Sequence, residues 1–237
     1  RGFDIFFSLI VILIGSPIFL LISILIKFSS RGPIFYYHKR VGKNFRTFYC
    51  IKFRTMHPEA DDILENLLDS NELIKNEYEK THKIKNDPRI TRIGKFLRKT
   101  SLDELPQFLN VLKLEMSVIG PRPLTAQTFG SYSAYTQEIV KKVRPGLSGV
   151  GSIIFRGEEE IMHGAFASVD FYDNVIAPYK GSLEEWFVSN KSMYIYFFAI
   201  FITAWAVIFP SSKIVWRIFR DLPEPPTELK QALNFID

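Results

Sequence analysis

The stretch from Lys95 to Pro123 reads KFLRKTSLDELPQFLNVLKLEMSVIGPRP. A basic cluster in this stretch runs directly into two adjacent carboxylates, Asp103 and Glu104. Apolar residues then recur at spacings of three and four, which predicts one buried face of a helix. These residues are Leu105, Phe108, Leu109 and Leu112. The stretch closes on Gly120-Pro121-Arg122-Pro123, which ends a helix and places one arginine on a stiff turn.

The start of this helix decides what the two carboxylates do. Ser101 and Glu104 have the spacing of a capping box, but Pro106 would then fall beyond the first turn, where it removes a hydrogen bond. We therefore expect the helix to begin near Asp103, with Pro106 in its first turn. Both carboxylates would then lie at the positive end of the helix dipole, and their ionised forms would be favoured. From these residues alone, a helix cap and a nucleophile for a phosphoryl substrate are both open.

The ordered motifs SLDELPQ, NVLK and GPRP, at residues 101–107, 110–113 and 120–123, resemble the signature of the bacterial sugar transferase family. Members are monotopic polyprenol-phosphate phosphoglycosyl transferases that start the assembly of surface glycans. The similarity extends over roughly residues 1–190. It implies an α+β fold that is mostly helical, with an N-terminal re-entrant helix, interfacial amphipathic helices and a small β-hairpin.

The resemblance also implies roles for individual residues. Asp103 would attack the sugar-bearing phosphorus, and Asp103 and Glu104 would hold Mg²⁺, which offsets the charge of the diphosphate. Arginines that match the family pattern would bind the nucleotide sugar, and for those in the DPRITRIG motif, residues 87–94, surface salt bridges are the alternative. These arginines are Arg98, Arg122, Arg89, Arg92 and Arg144. In the RPGLSG motif, residues 144–149, Ser148 stands where the family more often has threonine.

Composition limits the class of protein. The 237 residues are 47% hydrophobic, enough for one domain with a core, and carry a formal net charge of +5. This basic balance allows a nucleic-acid partner or an anionic membrane. The single Cys50 excludes an internal disulfide and a cysteine-rich zinc site. The four histidines lie at spacings that do not suit metal ligands.

A long apolar segment near the N-terminus predicts a membrane helix. Residues 5–26 are 22 uncharged residues, about 33 Å if helical, which matches a hydrocarbon core of about 30 Å. Ser16-Pro17 interrupts its middle, and basic residues flank both ends, so charge does not select an orientation. A kinked transmembrane helix and a re-entrant helix both fit these residues. The resemblance favours the re-entrant helix, because Ser16 and Pro17 match the bend of the family's hairpin.

The segment that follows the membrane helix is basic and aromatic. Residues 27–54 contain eight lysines and arginines and no acidic residue, and a turn at residues 41–44 separates two extended runs. Beside a membrane helix this predicts a hairpin that lies on anionic headgroups. Single-stranded nucleic acid is the alternative partner. Residues 52–56 also resemble a family segment near the active site.

The next segment, residues 58–80, is acidic and has apolar residues on one face. This pattern predicts an amphipathic helix that is broken near Ser70-Asn71.

Local sequence patterns in residues 125–237 predict the remaining elements and complete the expected domain organisation. Residues 125–142 predict a helix, and Pro145-Gly146 predicts a tight turn that holds Arg144. Met193 to Phe209 is a second apolar run, for which we favour an interfacial helix over a true span. We expect a re-entrant membrane helix at 1–30, a cytosolic-face catalytic body at 31–192, a membrane-associated helical segment at 193–220 and a tail at 221–237. Together they form a single catalytic domain.

The expected activity follows from the resemblance. A sugar-1-phosphate would pass from a UDP-sugar to undecaprenyl phosphate, with release of UMP, at the cytoplasmic face of the bacterial inner membrane. Membrane lipids are the expected surroundings, and nucleic acid is not an expected partner. The alternatives are a membrane scaffold without catalysis, a nucleic-acid binder, and a glycosyl transferase that releases UDP. The sequence indicates neither the sugar, nor the pathway, nor the oligomeric state.

Overall fold

A long apolar helix opens the chain. The computed structural model describes residues 1–81, 84, 86–156, 168–209 and 212–235. Helix α1 (Gly2–Ser29) continues through Pro17, and the Ser16 hydroxyl donates to the Leu13 carbonyl at 2.8 Å. Among the described helices, α1 alone is long and apolar enough to cross a membrane by length and composition. Its middle is mostly exposed, and its buried residues are Asp4 and Ser8 in the first part and Ile22 and Ile26 in the last part.

The two ends of α1 contact the same body of the protein. Near the N-terminus, Asp4 accepts hydrogen bonds from the Ser117 hydroxyl and the Val118 amide. Near the C-terminal end of α1, Ile22 and Ile26 pack in one cluster with Phe53 and Leu97. Contacts of both ends with one body are the arrangement that the predicted re-entrant helix requires. The fold is α+β, mostly helical and monotopic, as the sequence predicted.

A β-hairpin follows α1 directly. Strands β1 (Phe35–Val41) and β2 (Thr47–Phe53) pair antiparallel around a 3₁₀ turn at Lys43–Phe45, which confirms the predicted turn. His38 pairs with Cys50, and Tyr36 pairs with Lys52. Since side chains alternate along a strand, these four residues share one face of the hairpin.

The second sheet is small and parallel. Strand β3 (Ser117–Ile119) pairs with β4 (Gly146–Ser148), so the tight turn predicted at Pro145-Gly146 is wrong. The backbones approach so closely that a Cβ atom on Gly146 would lie 2.0 Å from the Gly120 nitrogen. The glycine therefore serves close strand pairing rather than a turn.

Helices make up most of the remaining body. The acidic segment folds as two helices that meet at Asn71, as predicted. The segment at 125–142 is also two helices rather than one, because Thr125 and Ser133 each cap a helix start. In order, the helices are α2 (Ala60–Ser70), α3 (Glu72–Thr81), α4 (Arg92–Thr100), α5 (Gln107–Leu112), α6 (Ala126–Gly130), α7 (Ala134–Val140), α8 (Val150–Ile154), α9 (Val169–Phe171), a π-helical turn (Tyr172–Ile176) and α10 (Ala177–Ser189).

The C-terminal helices pack onto this body. They are α11 (Met193–Ile208), α12 (Ile214–Ile218) and α13 (Thr227–Lys230). One face of α11 is buried along Ile195, Ala199, Ile202 and Ala206, and the opposite face carries exposed apolar residues. A helix attached to the body along its length agrees with the interfacial placement favoured above.

The segment after residue 221 is part of the core. The sequence predicted a tail here, but Leu222, Leu229 and Leu233 are buried in the main apolar cluster. The indole of Trp216 also donates to the Leu233 carbonyl at 3.2 Å. Three leucines spaced along a proline-rich segment were the signal for this packing, because buried leucines each contribute about 2 kcal/mol.

Candidate active site

The two adjacent carboxylates lie in a short turn between two helices. Helix α4 ends at Thr100, Ser101 adopts a left-handed conformation with φ of 58°, and a 3₁₀ turn spans Leu102–Glu104. Pro106 precedes α5, which begins at Gln107. The helix thus begins a few residues later than predicted. The Ser101 hydroxyl makes no capping bond, so the capping box was correctly rejected.

Cations from two distant parts of the chain meet these carboxylates. The Nζ atom of Lys52, on β2, lies 2.6 Å from Glu104 Oε1 and 3.9 Å from Asp103 Oδ2. The Nη2 atom of Arg122, in the turn after β3, lies 3.6 Å from the same oxygen of Glu104. The hairpin and the GPRP turn therefore converge on the Asp103-Glu104 pair.

Further arginines surround the pair. Arg98 donates from Nε to the Thr55 hydroxyl at 2.9 Å, and its charge acts on Asp103. Arg40 shares the hairpin face with Lys52 and is electrostatically coupled to Glu104. Arg156 reaches the Ser101 hydroxyl at 3.5 Å. A site this rich in cations is suited to bind a diphosphate.

The pKa values of the two carboxyl groups are shifted in opposite directions. Burial raises the pKa of Asp103 above its ordinary value, and the charge of Glu104 adds to this, although Lys52 and Arg98 oppose it. Burial also acts on Glu104, but Arg122 and Lys52 outweigh it, so the pKa of Glu104 is lowered. We expected both ionised forms to be favoured, and for Asp103 this is wrong. The error follows from the helix start, because Asp103 is buried before α5 rather than placed at its positive end.

Three other predicted arginines lie apart from this pair. Arg89 is held by Asp87 through hydrogen bonds of 2.7 to 3.0 Å, which is the salt bridge named above as the alternative. Arg92 is exposed in the first turn of α4. Arg144 donates from Nε to the Leu114 carbonyl at 2.6 Å and is electrostatically coupled to Arg1. In the described part of the chain, no ion pair joins these three arginines to Asp103 or Glu104.

Arg40 and Arg156 were not predicted as site residues, and Lys52 was noted only within residues 52–56, which resemble a family segment near the active site. We assigned the hairpin's cations to lipid headgroups, yet Lys52 is turned toward Asp103 and Glu104. The sequence signal for Lys52 was the alternation of side chains along β2. This alternation places Lys52 on the face opposite to that of the exposed Tyr49. Cys50 shares the face of Lys52, but burial raises the pKa of its thiol to about 11, so it is no nucleophile near neutral pH.

The carboxylates are suited to hold a magnesium ion together with substrate. Mg²⁺ prefers hard oxygen ligands and is commonly bound by one or two carboxylates plus phosphate oxygens and water. Asp103 and Glu104 supply two adjacent carboxylates of this kind. No group of three or more His, Cys, Asp or Glu residues among the described residues is arranged to hold a metal. Two adjacent carboxylates fit a Mg²⁺ ion whose remaining ligands are phosphate oxygens and water.

Comparison with known proteins identifies the family. The family model described as bacterial sugar transferase matches residues 1–210. The chain is 43% identical over 158 residues to the exopolysaccharide production protein ExoY of Sinorhizobium fredii, which covers 67% of this chain and 70% of that protein. It is 35% identical over 218 residues to the undecaprenyl-phosphate galactose phosphotransferase of Salmonella typhimurium, which covers 92% of this chain and 40% of that protein.

A third relative differs in its named sugar. The UDP-glucose:undecaprenyl-phosphate glucose-1-phosphate transferase of Escherichia coli is 34% identical over 174 residues, covering 72% of this chain and 34% of that protein. The family match covers most of the chain and includes the apolar helix, the hairpin and the Asp103-Glu104 turn. The chain belongs to the bacterial sugar transferase family.

Proposed function

We propose that this chain is a phosphoglycosyl transferase that moves a sugar-1-phosphate from a UDP-sugar to undecaprenyl phosphate and releases UMP. The observation that carries the proposal is the Asp103-Glu104 turn, which is surrounded by Lys52, Arg98 and Arg122. The names of the Salmonella and Escherichia relatives support the substrates. The name of the ExoY relative, an exopolysaccharide production protein, supports a role in exopolysaccharide synthesis.

In the first step, an Asp103 carboxylate oxygen attacks the sugar-bearing phosphorus of the donor. The new bond joins this oxygen to phosphorus, and the bond to the bridging oxygen breaks, so that UMP leaves with the electron pair. The product is a phosphosugar–aspartate anhydride. Since Glu104 is ion-paired and Asp103 has weaker contacts with cations, Asp103 is the carboxylate that is available to attack.

In the second step, a phosphate oxygen of the lipid attacks the same phosphorus. The bond to Asp103 breaks, and the carboxylate is regenerated. Arg122 and Arg98 neutralise the transferred phosphoryl group in both steps, and a guanidinium suits this because it offers paired donors. When bound, Mg²⁺ on Asp103 and Glu104 would offset negative charge on the diphosphate.

The position of the turn suits a lipid acceptor. The flanking helices α4 and α5 both pack against α1, and the Phe7 and Phe108 ring centroids lie 6.1 Å apart. The reacting carboxylates therefore lie beside the membrane helix, where a lipid phosphate and a soluble nucleotide can meet. We place the enzyme on the cytoplasmic face of the inner membrane, because UDP-sugars are made in the cytoplasm.

UMP release tests this proposal most simply. The purified chain in detergent, supplied with undecaprenyl phosphate and Mg²⁺, should release UMP from UDP-glucose, UDP-galactose or another UDP-sugar of a panel. Release of UDP would instead indicate transfer of the sugar alone. Failure of every UDP-sugar in the panel, with a correctly folded protein, would favour a scaffold without catalysis.

A further inference from the structure

One buried carboxyl group lies outside the Asp103-Glu104 pair and close to the GPRP turn. Glu184 lies in the middle of α10, and only 2% of its surface is exposed. Its Oε1 accepts a hydrogen bond from the backbone amide of Arg122 at 3.4 Å. Burying a carboxyl group is costly, so its placement directly beneath a substrate-binding arginine calls for an explanation.

The surrounding residues make room for this carboxyl group but only partly satisfy it. A Cβ atom on Gly151 would lie 2.6 Å from Glu184 Oε1, so the glycine of α8 leaves the space that the carboxyl group fills. Glu184 Oε2 is buried and makes no hydrogen bond among the described residues. An oxygen of this kind is better suited to carry a proton than a negative charge.

Two cations are close enough to act on Glu184. Lys180, one turn earlier on α10, is buried, and its ammonium lies 5.0 Å from the Phe155 ring centroid and 5.5 Å from that of Tyr172. The other cation is Arg122, in the turn packed against α10; α8 contributes Gly151 and no charged side chain. Burial raises the pKa of Glu184 to about 7, although the Arg122 amide and the two cations oppose it.

We infer that Glu184 is a positioning residue that acts through Arg122, and that it takes up a proton from solvent when the diphosphate of the donor binds. The inference rests on the proposed function, since it assumes that Arg122 binds the donor. An ionised Glu184 competes with the diphosphate for the positive charge of Arg122. A protonated Glu184 still accepts a hydrogen bond from the Arg122 amide through Oε1, and Glu104 is then the carboxylate that still faces the guanidinium when the donor binds.

The sign of the pH dependence follows from this competition. Below the pKa of Glu184 the carboxyl group is neutral and the donor binds tightly; above it the charge weakens donor binding. Each phosphorus of a UDP-sugar carries one ester bond and one anhydride bond, so the diphosphate has no group that titrates between pH 6 and 8. The dissociation constant should therefore rise about three- to tenfold over this range.

Donor binding is measured with the full chain carrying Asp103→Asn, so that the donor is not consumed. The probes are UDP-glucose and UDP-galactose, titrated calorimetrically at pH 6, 7 and 8 in two buffers of different ionisation enthalpy. We expect proton uptake at pH 7 and the rise in dissociation constant. Adding Glu184→Gln, which keeps an acceptor for the Arg122 amide, should abolish both effects.

The neighbouring Glu185 provides the matched control. Its Oε1 accepts from the Thr136 hydroxyl at 2.5 Å, on the side of α7, so Glu185→Gln should preserve the pH dependence. Asp103 is replaced in every protein compared, and His38 is present in all, so neither can explain a difference caused by Glu184→Gln. Donor binding whose pH dependence and proton uptake survive Glu184→Gln would overturn the inference and leave the proposed function intact. Absence of binding by both UDP-sugars would overturn both.

Discussion

Two adjacent carboxyl groups have opposite electrostatic environments in this site. Glu104 has short contacts with Lys52 and Arg122, which lower its pKa, whereas burial raises the pKa of Asp103. A carboxylate that is neutralised by ion pairs is a weak nucleophile, and one that is buried with less compensation is a stronger one. The difference supports Asp103 as the attacking group and Glu104 as an electrostatic and metal-binding partner.

Replacement of the nucleophile should abolish turnover without unfolding the protein. Asp103→Asn keeps the size of the side chain but removes the attacking charge, so UMP release should fall about a thousandfold or more. Asp61→Asn, at an exposed position on α2, is the matched control and should keep full activity. Substantial residual turnover in Asp103→Asn would exclude Asp103 as the nucleophile.

The acidic limb of the pH profile should respond to Lys52. Asp103 must be ionised to attack, so donor cleavage falls as the pH drops through its raised pKa. Lys52→Gln removes a cation that lowers this pKa, and the limb should move upward by about half to one pH unit. The measurement is single-turnover UMP release from pH 4 to pH 8, with the exposed Lys39→Gln as the control. A limb that stays in place would show that Lys52 does not act on Asp103.

At the scale of secondary structure, the positions of turns and helix breaks were predictable from the sequence. The meeting of side chains from distant elements at the Asp103-Glu104 turn was not. The hairpin turn and the break at Asn71 follow from turn residues and helix caps in the sequence, and both are confirmed. The meeting of Lys52 with Glu104 joins residues 52 positions apart, and no local pattern encodes it. For Asp103, Glu104 and Arg122 the resemblance supplied the grouping. The sequence showed Arg40 and Lys52 only as members of a basic segment. The face of the hairpin on which each side chain lies depends on the register of the two strands.

The parallel pair of β3 and β4 holds the GPRP turn in place, and Gly146 is its tightest contact. An added methyl group in Gly146→Ala would overlap the Gly120 backbone, which side-chain motion cannot relieve. We expect a loss of about 2 kcal/mol or more in the free energy of unfolding, together with reduced UMP release. The measurement is thermal or denaturant unfolding in detergent.

Gly130→Ala supplies the comparison for that test. A Cβ atom on Gly130, at the end of α6, would have no atom within 4 Å. The free energy of unfolding of Gly130→Ala should therefore be unchanged or slightly higher than that of the unchanged protein. Equal stability of the two variants would mean that β3 and β4 are not in such close contact.

At the scale of the whole molecule, membrane attachment and catalysis share one body. Asp4, at the start of α1, binds Ser117 and the amide of Val118, on the strand that leads into the GPRP turn. The other end of α1 packs near β2 and α4, which border the catalytic turn. The apolar residues alone fitted a span as well as a re-entrant helix, and the family resemblance favoured the re-entrant helix. The long-range contacts of both ends with one body support the re-entrant helix.

This arrangement predicts that both ends of α1 are accessible from the same side of the membrane. In a Cys50→Ser background, Arg1→Cys and Arg31→Cys should both react with a membrane-impermeant maleimide in inside-out vesicles and not in intact spheroplasts. The exposed Asp61→Cys on the catalytic body marks the cytoplasmic side. Labelling of Arg1→Cys from the side opposite to Asp61→Cys would show that α1 crosses the bilayer.

The most direct measurement of the central claim is the capture of the phosphosugar on the protein. The full chain is mixed with Mg²⁺ and a donor labelled in the sugar phosphate, without undecaprenyl phosphate, then quenched in acid, digested and analysed by mass spectrometry. We predict one phosphosugar on the peptide that contains Asp103, released as labelled lipid when undecaprenyl phosphate is added before the quench. Formation of labelled lipid at the normal rate, with Asp103 never modified on the reaction time scale, would contradict the account.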